Sequence, residues 1–295
     1  MMRIAFKIPV VVLILVTCAS SCYAEDYPGI RIDSSFRVEY LFGRLNNRLS
    51  DPTNPVYQVI PDFLPLRLDL LSRMAVLTGF VEISPYPVIS GRLVGSVSVA
   101  EGTFPVRRLI DVTAIINQTG NWARWEVKPD LDTWEVAGLY HLWNAAGYRF
   151  SFTAGYRSER WLFHGEPTVA GIGTLRDEYS SSIPFIGLQT SMLFPWWKAR
   201  FEVLGSPFMN RKATIDNGAF RAQGNGTNGG LLEFQMEGSV GLTPSLFLGI
   251  NACYSYQELY GNSTASFRDL GGNTTFTLYT TADLLRIGFD INVLF

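Results

Sequence analysis

The chain ends on Leu285-Arg286-Ile287-Gly288-Phe289-Asp290-Ile291-Asn292-Val293-Leu294-Phe295. Leu285, Ile287, Phe289, Ile291, Val293 and Phe295 are apolar, and Arg286, Gly288, Asp290 and Asn292 lie between them. One face of such a strand is greasy and the other polar. The length matches the roughly 9 to 11 residues that a tilted strand needs to cross a bilayer. A half-buried strand of a soluble sandwich has the same period of 2, so one strand cannot decide between them. Repetition can, because a membrane barrel needs the alternation in every strand, together with an even strand count, short turns on one side and long links on the other.

Ten alternating runs can be read. The first is about Ile30 to Gly43, with Ile32, Phe36, Val38, Tyr40 and Phe42 opposite Arg31, Asp33, Arg37 and Glu39. The second, about Arg67 to Ser84, turns at Pro85-Tyr86-Pro87 into the third, about Val88 to Val99. The fourth, about Asp132 to Trp143, puts Trp134, Val136, Tyr140 and Leu142 outward and turns at Asn144-Ala145-Ala146-Gly147 into the fifth, Tyr148 to Phe163. The sixth, about Ile183 to Phe194, joins the seventh, about Lys198 to Phe208, through Pro195-Trp196-Trp197, aromatic residues suited to a headgroup belt. The eighth, Leu231 to Leu242, turns at Thr243-Pro244-Ser245 into the ninth, Leu246 to Tyr260, and the tenth is the terminal strand. Links after odd-numbered runs reach a dozen residues or more, whereas those after even-numbered runs are three or four long. The expected fold class is all-β, a closed ten-stranded antiparallel transmembrane barrel.

Inside so narrow a barrel, Arg149, Arg157, Arg200 and Arg286 would meet Glu39, Glu202, Glu237 and Asp290, and pairing avoids leaving a desolvated charge alone. This predicts a plugged interior rather than a wide pore, which argues against a small-solute channel. Composition excludes other classes. The 295 residues hold 24 Lys+Arg against 26 Asp+Glu, giving net −2 and no basic excess for nucleic acid. Two His and three Cys leave too few ligands for an ordinary structural zinc site, and no cofactor is indicated.

At the other end, Arg3 and Lys7 precede the apolar run Ile8 to Val16, and Cys22-Tyr23-Ala24 supplies a cleavage pattern. Residues 1–24 therefore read as a signal peptide and 25–295 as a single barrel domain with long extracellular loops. Cleavage would leave Cys253 as the only cysteine. A lipoprotein signal at Cys18 or Cys22 is the rival reading. Both barrel termini are expected in the periplasm of a bacterial cell with an outer membrane. A strand ending on Phe295 resembles the signal by which outer-membrane barrels are recognised for assembly, so the assembly machinery is an expected partner, with outer-membrane lipid and lipopolysaccharide.

Several segments resemble the omptins, a family of ten-stranded outer-membrane proteases. Tyr148-Arg149-Phe150 through Ala154-Gly155-Tyr156-Arg157-Ser158-Glu159-Arg160 is similar to that family's fifth strand, and Ile183-Pro184-Phe185-Ile186-Gly187-Leu188 to the start of its sixth. Leu242-Thr243-Pro244 resembles its eighth-strand turn, and Leu68-Asp69 with Gly79-Phe80-Val81 its second strand. The resemblance implies a proteolytic site made of Asp-x-Asp-Trp after the third strand and Asp-x-His above the seventh. This chain has Thr119-Gly120-Asn121-Trp122 at the first place and Ala213-Thr214-Ile215-Asp216-Asn217-Gly218 at the second. The Trp is kept and the catalytic carboxylates and His are not.

A relocated site would have to use one of the two histidines. His141 falls on the inward parity of the fourth strand and reads as a lumen hydrogen-bonding residue. His164, at the outer rim near Asp130 and Asp132, is the alternative catalytic constellation, since a carboxylate-oriented imidazole can activate water. Gly224-Asn225-Gly226-Thr227-Asn228-Gly229-Gly230 reads as a loop tip. The sequons at Asn225, Asn262 and Asn273 carry no weight in a barrel-building bacterium. The leading functional expectation is a non-proteolytic barrel acting through surface loops as adhesin, receptor or structural element. The alternative is an omptin-type endopeptidase with a moved site.

Overall fold

The computed structural model describes residues 30–50, 66–69, 74–99, 103–109, 122–168, 173–216, 220–267 and 273–295. The signal-peptide reading, Thr119 to Asn121, and Asn217 and Gly218 lie outside them. Thirteen strands form one antiparallel sheet: β1 (Arg31–Ser50), β2 (Leu66–Asp69), β3 (Met74–Tyr86), β4 (Ile89–Ser98), β5 (Phe104–Leu109), β6 (Trp122–Ala145), β7 (Tyr148–Pro167), β8 (Leu175–Phe194), β9 (Trp197–Ser206), β10 (Asn210–Asp216), β11 (Phe220–Gly241), β12 (Leu246–Phe267) and β13 (Asn273–Leu294). Three pairs act as single staves: β2 with β3 against β1, β4 with β5 against β6, and β9 with β10 between β8 and β11. Ten staves result, and β1 pairing β13 closes the ring. Closure leaves no unpaired edge for lipid to meet.

The seam is completed by the last residue, because Phe295 and Ile32 exchange both backbone hydrogen bonds at 2.9 Å. The same end carries the tight hairpins. Ala145 pairs Tyr148, so the turn is two residues, Ala146 and Gly147, both at positive φ (50° and 84°). That backbone matches the primed turns that follow the right-handed twist of strands. At the β11–β12 turn, Thr243 Oγ1 accepts from the backbone N–H groups of Ser245 and Leu246.

On the hairpin side of the barrel the expected parity holds. Register aligns Tyr40, Ile287, Ala252, Met236 and Phe201 in one outward row across β1, β13, β12, β11 and β9. Exposed Val136, Leu188, Ile250, Phe289 and Ile291 extend the apolar belt, while Arg37, Glu135, Arg157 and Glu237 are buried inward. Away from the hairpins the polarity reverses. Along β6, Trp125, Val127 and Leu131 point inward and are buried, and Arg124 and Lys128 are exposed. Trp161 and Phe163 of β7, Tyr179 of β8, Met209 before β10, Ile215 of β10, Leu231 of β11 and Leu259 of β12 join this upper core. The lower storey thus suits hydrocarbon outside and water-like chemistry inside, and the upper storey is built like a soluble barrel.

The upper storey corrects several expected boundaries. Beyond the belt, β6 starts at Trp122 rather than near Asp132, β8 at Leu175 rather than Ile183, and β11 at Phe220 rather than Leu231. The Gly224 to Gly230 segment is strand, not loop tip; it pairs β12, with a bulge between Gly226 and Asn228. Continued pairing shortens the links expected after the fifth, seventh and ninth runs: only 168–174, 217–219 and 268–272 separate the staves there. A lipid-facing pattern does not extend into those residues, because above the belt the apolar positions lie on the inward face.

Candidate functional site: the occupied lumen and the outer rim

Inward parity brings together side chains far apart in sequence. Arg92 of β4 donates to Glu202 of β9 (2.7 Å) and Glu135 of β6 (2.9 Å). Glu135 also accepts from Arg157 of β7 at 2.7 Å, and Arg157 continues to Glu233 of β11 at 2.7 Å. The chain of charges crosses the barrel. Nearer the hairpins, Glu237 accepts from Arg37 (2.8 Å) and Arg200, and Lys198 Nζ lies 2.7 Å from Asp33. Phe80 projects from β3 against both arginines, whose guanidinium carbons lie 5.4 Å (Arg37) and 4.3 Å (Arg200) from its ring centre. Of the charges expected inside, Arg149 pairs Glu82 at 3.4 Å, and Arg286 approaches Glu39 at 3.9 Å and Cys253 Sγ at 3.2 Å. Asp290 is buried and accepts no hydrogen bond among the described residues.

A buried charge is tolerable when its partner and remaining hydrogen bonds are in place. Here single carboxylates serve two or three cations, and the lattice fills the cross-section. The cavity among Arg37, Arg92, Arg157, Glu233 and Asn251 is about 60 Å³. That is room for a few water molecules, not for a solute path.

His141 lies among serines, as its parity suggested. Its Nε2 is 2.6 Å from Ser90 Oγ and its Nδ1 2.7 Å from Ser151 Oγ, and Ser90 meets Ser84 at 2.6 Å. These side chains tie β3, β4, β6 and β7 together near the hairpins. Above the charged lattice, Glu159 accepts from Trp161 Nε1 (2.6 Å) and from Gln257 Nε2 (3.1 Å). Gln257 in turn accepts from Arg211.

The alternative catalytic residues are on the outer wall. His164 stands across from Lys128, and Asp130 across from Leu162, so His164 and Asp130 are diagonal neighbours, with Asp132 one step further away. All three share the outward face of β6 and β7. His164 Nε2 meets Glu166 at 3.3 Å, and Asp130 accepts from Ser98 at 2.7 Å. Of the second resembling segment, Ala213 and Ile215 are buried inward, and Asp216 ends β10 between Arg176 and Arg221 in register. Among the described residues, no group of three or more His, Cys, Asp or Glu could hold a metal ion.

A second rim feature is only partly legible in the sequence. On the outer face of β12 and β13, Glu258 Oε1 accepts from Tyr279 (3.0 Å) and Tyr260, and Oε2 from Tyr256 (3.2 Å). The Tyr260 and Tyr279 rings lie 4.7 Å apart, tilted by 36°. Hydrogen bonds from Tyr260 and Tyr279 hold the Glu258 carboxyl below the usual carboxylate range. Burial, with the bonds to Tyr260 and Glu258, pushes the Tyr279 hydroxyl up to about 12.

The closed ten-stave antiparallel barrel, apolar outside and charged inside over its lower storey, is of outer-membrane type. Within that class its fold is omptin-like. The outer membrane protease OmpT from Escherichia coli superposes with a TM-score of 0.69 over 90% of this chain and 97% of that one, at 12% identity. OprG from Pseudomonas aeruginosa (TM-score 0.36, 7% identity, 88% and 95% covered) and the translocator domain of autotransporter NalP from Neisseria meningitidis (0.33, 8%, 93% and 92%) also match. No family model and no curated protein matches the sequence.

Proposed function

We propose that this chain is an integral protein of a bacterial outer membrane that works through its extracellular wall and loops, as adhesin, receptor or structural element, and not as a peptidase or channel. The observation that carries this reading is the filled interior. A peptidase on this fold needs a cleft with acids and an imidazole converging on water, and here Trp125, Trp161, Phe163 and Tyr179 occupy the upper lumen. Thr119 and Asn121 in place of the two Asp, and the lack of a His in 213–218, support the same reading, since neutral Thr and Asn side chains cannot accept a proton from water near pH 7. The charged lattice below opposes solute passage. The hairpin end would face the periplasm, and the assembly machinery would read the strand ending on Phe295. Outer-membrane lipid, including lipopolysaccharide, would surround the belt.

Refolded protein in detergent, incubated with a pool of basic and neutral peptides and followed by mass spectrometry, should leave every peptide intact. Cleavage after basic residues that vanishes in His164→Ala and survives in His141→Ala would establish instead the moved site of His164, Asp130 and Asp132.

A further inference from the structure

Tyrosines at a membrane surface ordinarily mark the headgroup layer, which adds only about 5–8 Å beyond the hydrocarbon on each side. Tyr254 fits that role. It shares an outward row with Phe42, Leu285 and Phe234, one row below exposed Leu232, which pairs Tyr256 at the top of the apolar belt on β11. Tyr260 lies four residues beyond the Leu232 row on the same face of the same strand, about 14 Å along it at ~3.4 Å per residue, or roughly 10 Å in height at the usual strand tilt. Tyr260 and its cross-strand partner Tyr279 therefore stand clear of the headgroup layer, and Tyr260 is 46% exposed. A lipid belt does not account for them.

Their hydroxyls are committed, since both donate to Glu258, as does Tyr256. The commitment fixes the rings, so a ligand stacking on them would find side chains already ordered. A carboxylate has about four acceptor positions. Three are used, which leaves one for an incoming hydroxyl. In the next stave, exposed Asn228 pairs Tyr260 in register and offers both amide donors and an acceptor. Ring faces, a hydroxyl acceptor and a carboxamide on one wall suit a sugar ring, whose axial C–H groups pack on aromatic faces while its hydroxyls exchange hydrogen bonds. The charge of Glu258 disfavours sialylated or phosphorylated sugars.

We propose that the outer wall around Tyr260, Tyr279, Glu258 and Asn228 binds neutral saccharide presented from outside the cell. This rests on the surface-acting reading above and names its ligand class. The test uses refolded, detergent-solubilised full chain on an array of neutral oligosaccharides (maltohexaose, tetra-N-acetylglucosamine) with sialyllactose as the charged counterpart, and heat-modifiable mobility checks that every variant has folded. Retention on a neutral probe is expected, falling about tenfold in Tyr260→Ala and Tyr279→Ala, the loss expected for one stacked ring. Tyr260→Phe should stay within a few-fold of wild type, and Lys128→Ala, on another wall, should be unchanged. No retention on any neutral probe, equal retention of both alanine variants, or preference for sialyllactose would overturn the proposal. Labelling of Asn228→Cys in intact cells by a membrane-impermeant maleimide separates the two levels. Labelled cells without saccharide binding refute this inference alone, and unlabelled cells refute the surface reading beneath it.

Discussion

Arg157 on β7 and Glu233 on β11 belong to staves that do not pair, yet they are joined by two hydrogen bonds of 2.7 Å across the lumen. The wall's own ladder links only neighbours. This pair bridges over β8 and the β9–β10 stave, and Glu135 and Arg92 continue the brace to Glu202.

Breaking the brace at one end should therefore be costly. Arg157→Ala leaves Glu135 and Glu233 buried with one cation fewer each, and about 3–5 kcal/mol of stability should be lost. Denaturant unfolding in detergent measures it. The combined Arg157→Met, Glu233→Leu, Glu135→Gln variant should recover much of the loss, because the strandedness of the remaining charge, not the pair itself, is what costs.

Phe80, with Arg37 and Arg200 against its ring and both bound to Glu237, forms a plug in the lower lumen. Wild-type protein in planar bilayers should be almost silent. Phe80→Ala, and more so Phe80→Ala with Glu237→Ala, should show discrete ion conductance. A conducting wild type would contradict the filled interior.

Ala146 adopts a left-handed conformation that costs a residue with a Cβ about 1–2 kcal/mol. Glycine avoids this strain at some cost in chain entropy. Ala146→Gly should stabilise the barrel by about 0.5–1 kcal/mol in the same unfolding assay, whereas Ala146→Val should destabilise it.

Removal of Phe295 deletes both backbone hydrogen bonds that close β13 on β1 beside Ile32. Outer-membrane assembly should drop far more than synthesis does, seen as loss of the heat-modifiable band at constant total protein. Equal assembly with and without Phe295 would count against a role for the seam.

The Tyr279 hydroxyl, raised to about 12, makes a signed prediction. An unfolded tyrosine ionises near pH 10, so the folded form holds its proton more tightly. The associated stability is complete below pH 10 and lost as pH rises from about 10 to about 12. Burial and the bonds around Glu258 raise Tyr256 and Tyr260 as well, so phenolate absorbance should show a late-titrating component that shrinks by one tyrosine in Tyr279→Phe.

The lower storey was legible because lipid imposes one rule on every stave: Trp134, Val136 and Tyr140 outward, Glu135 and His141 inward. The inward position of Arg157 and Glu237 followed from parity alone. Their partners did not, since Arg92 meets Glu202 across 110 positions of sequence. Above the belt the same period of 2 persists with its sign reversed, so Trp125, Val127 and Leu131 form a strand pattern that a lipid-facing template passes over. The tyrosine wall was incomplete for another reason: Tyr256, Glu258 and Tyr260 share a face by alternation, but Tyr279 joins them only once the β12–β13 register is known.

The reversal of sidedness near Asp132 and Thr133 makes a stave such as β6 two segments in series, answering to different solvents. Its upper length obeys the rules of an aqueous protein, so mutations there are filtered by ordinary core packing and not by the bilayer. The part beyond the bilayer can diversify in sequence while the part that inserts stays under the membrane's own constraint. A single chain can in this way keep its anchorage and change its face.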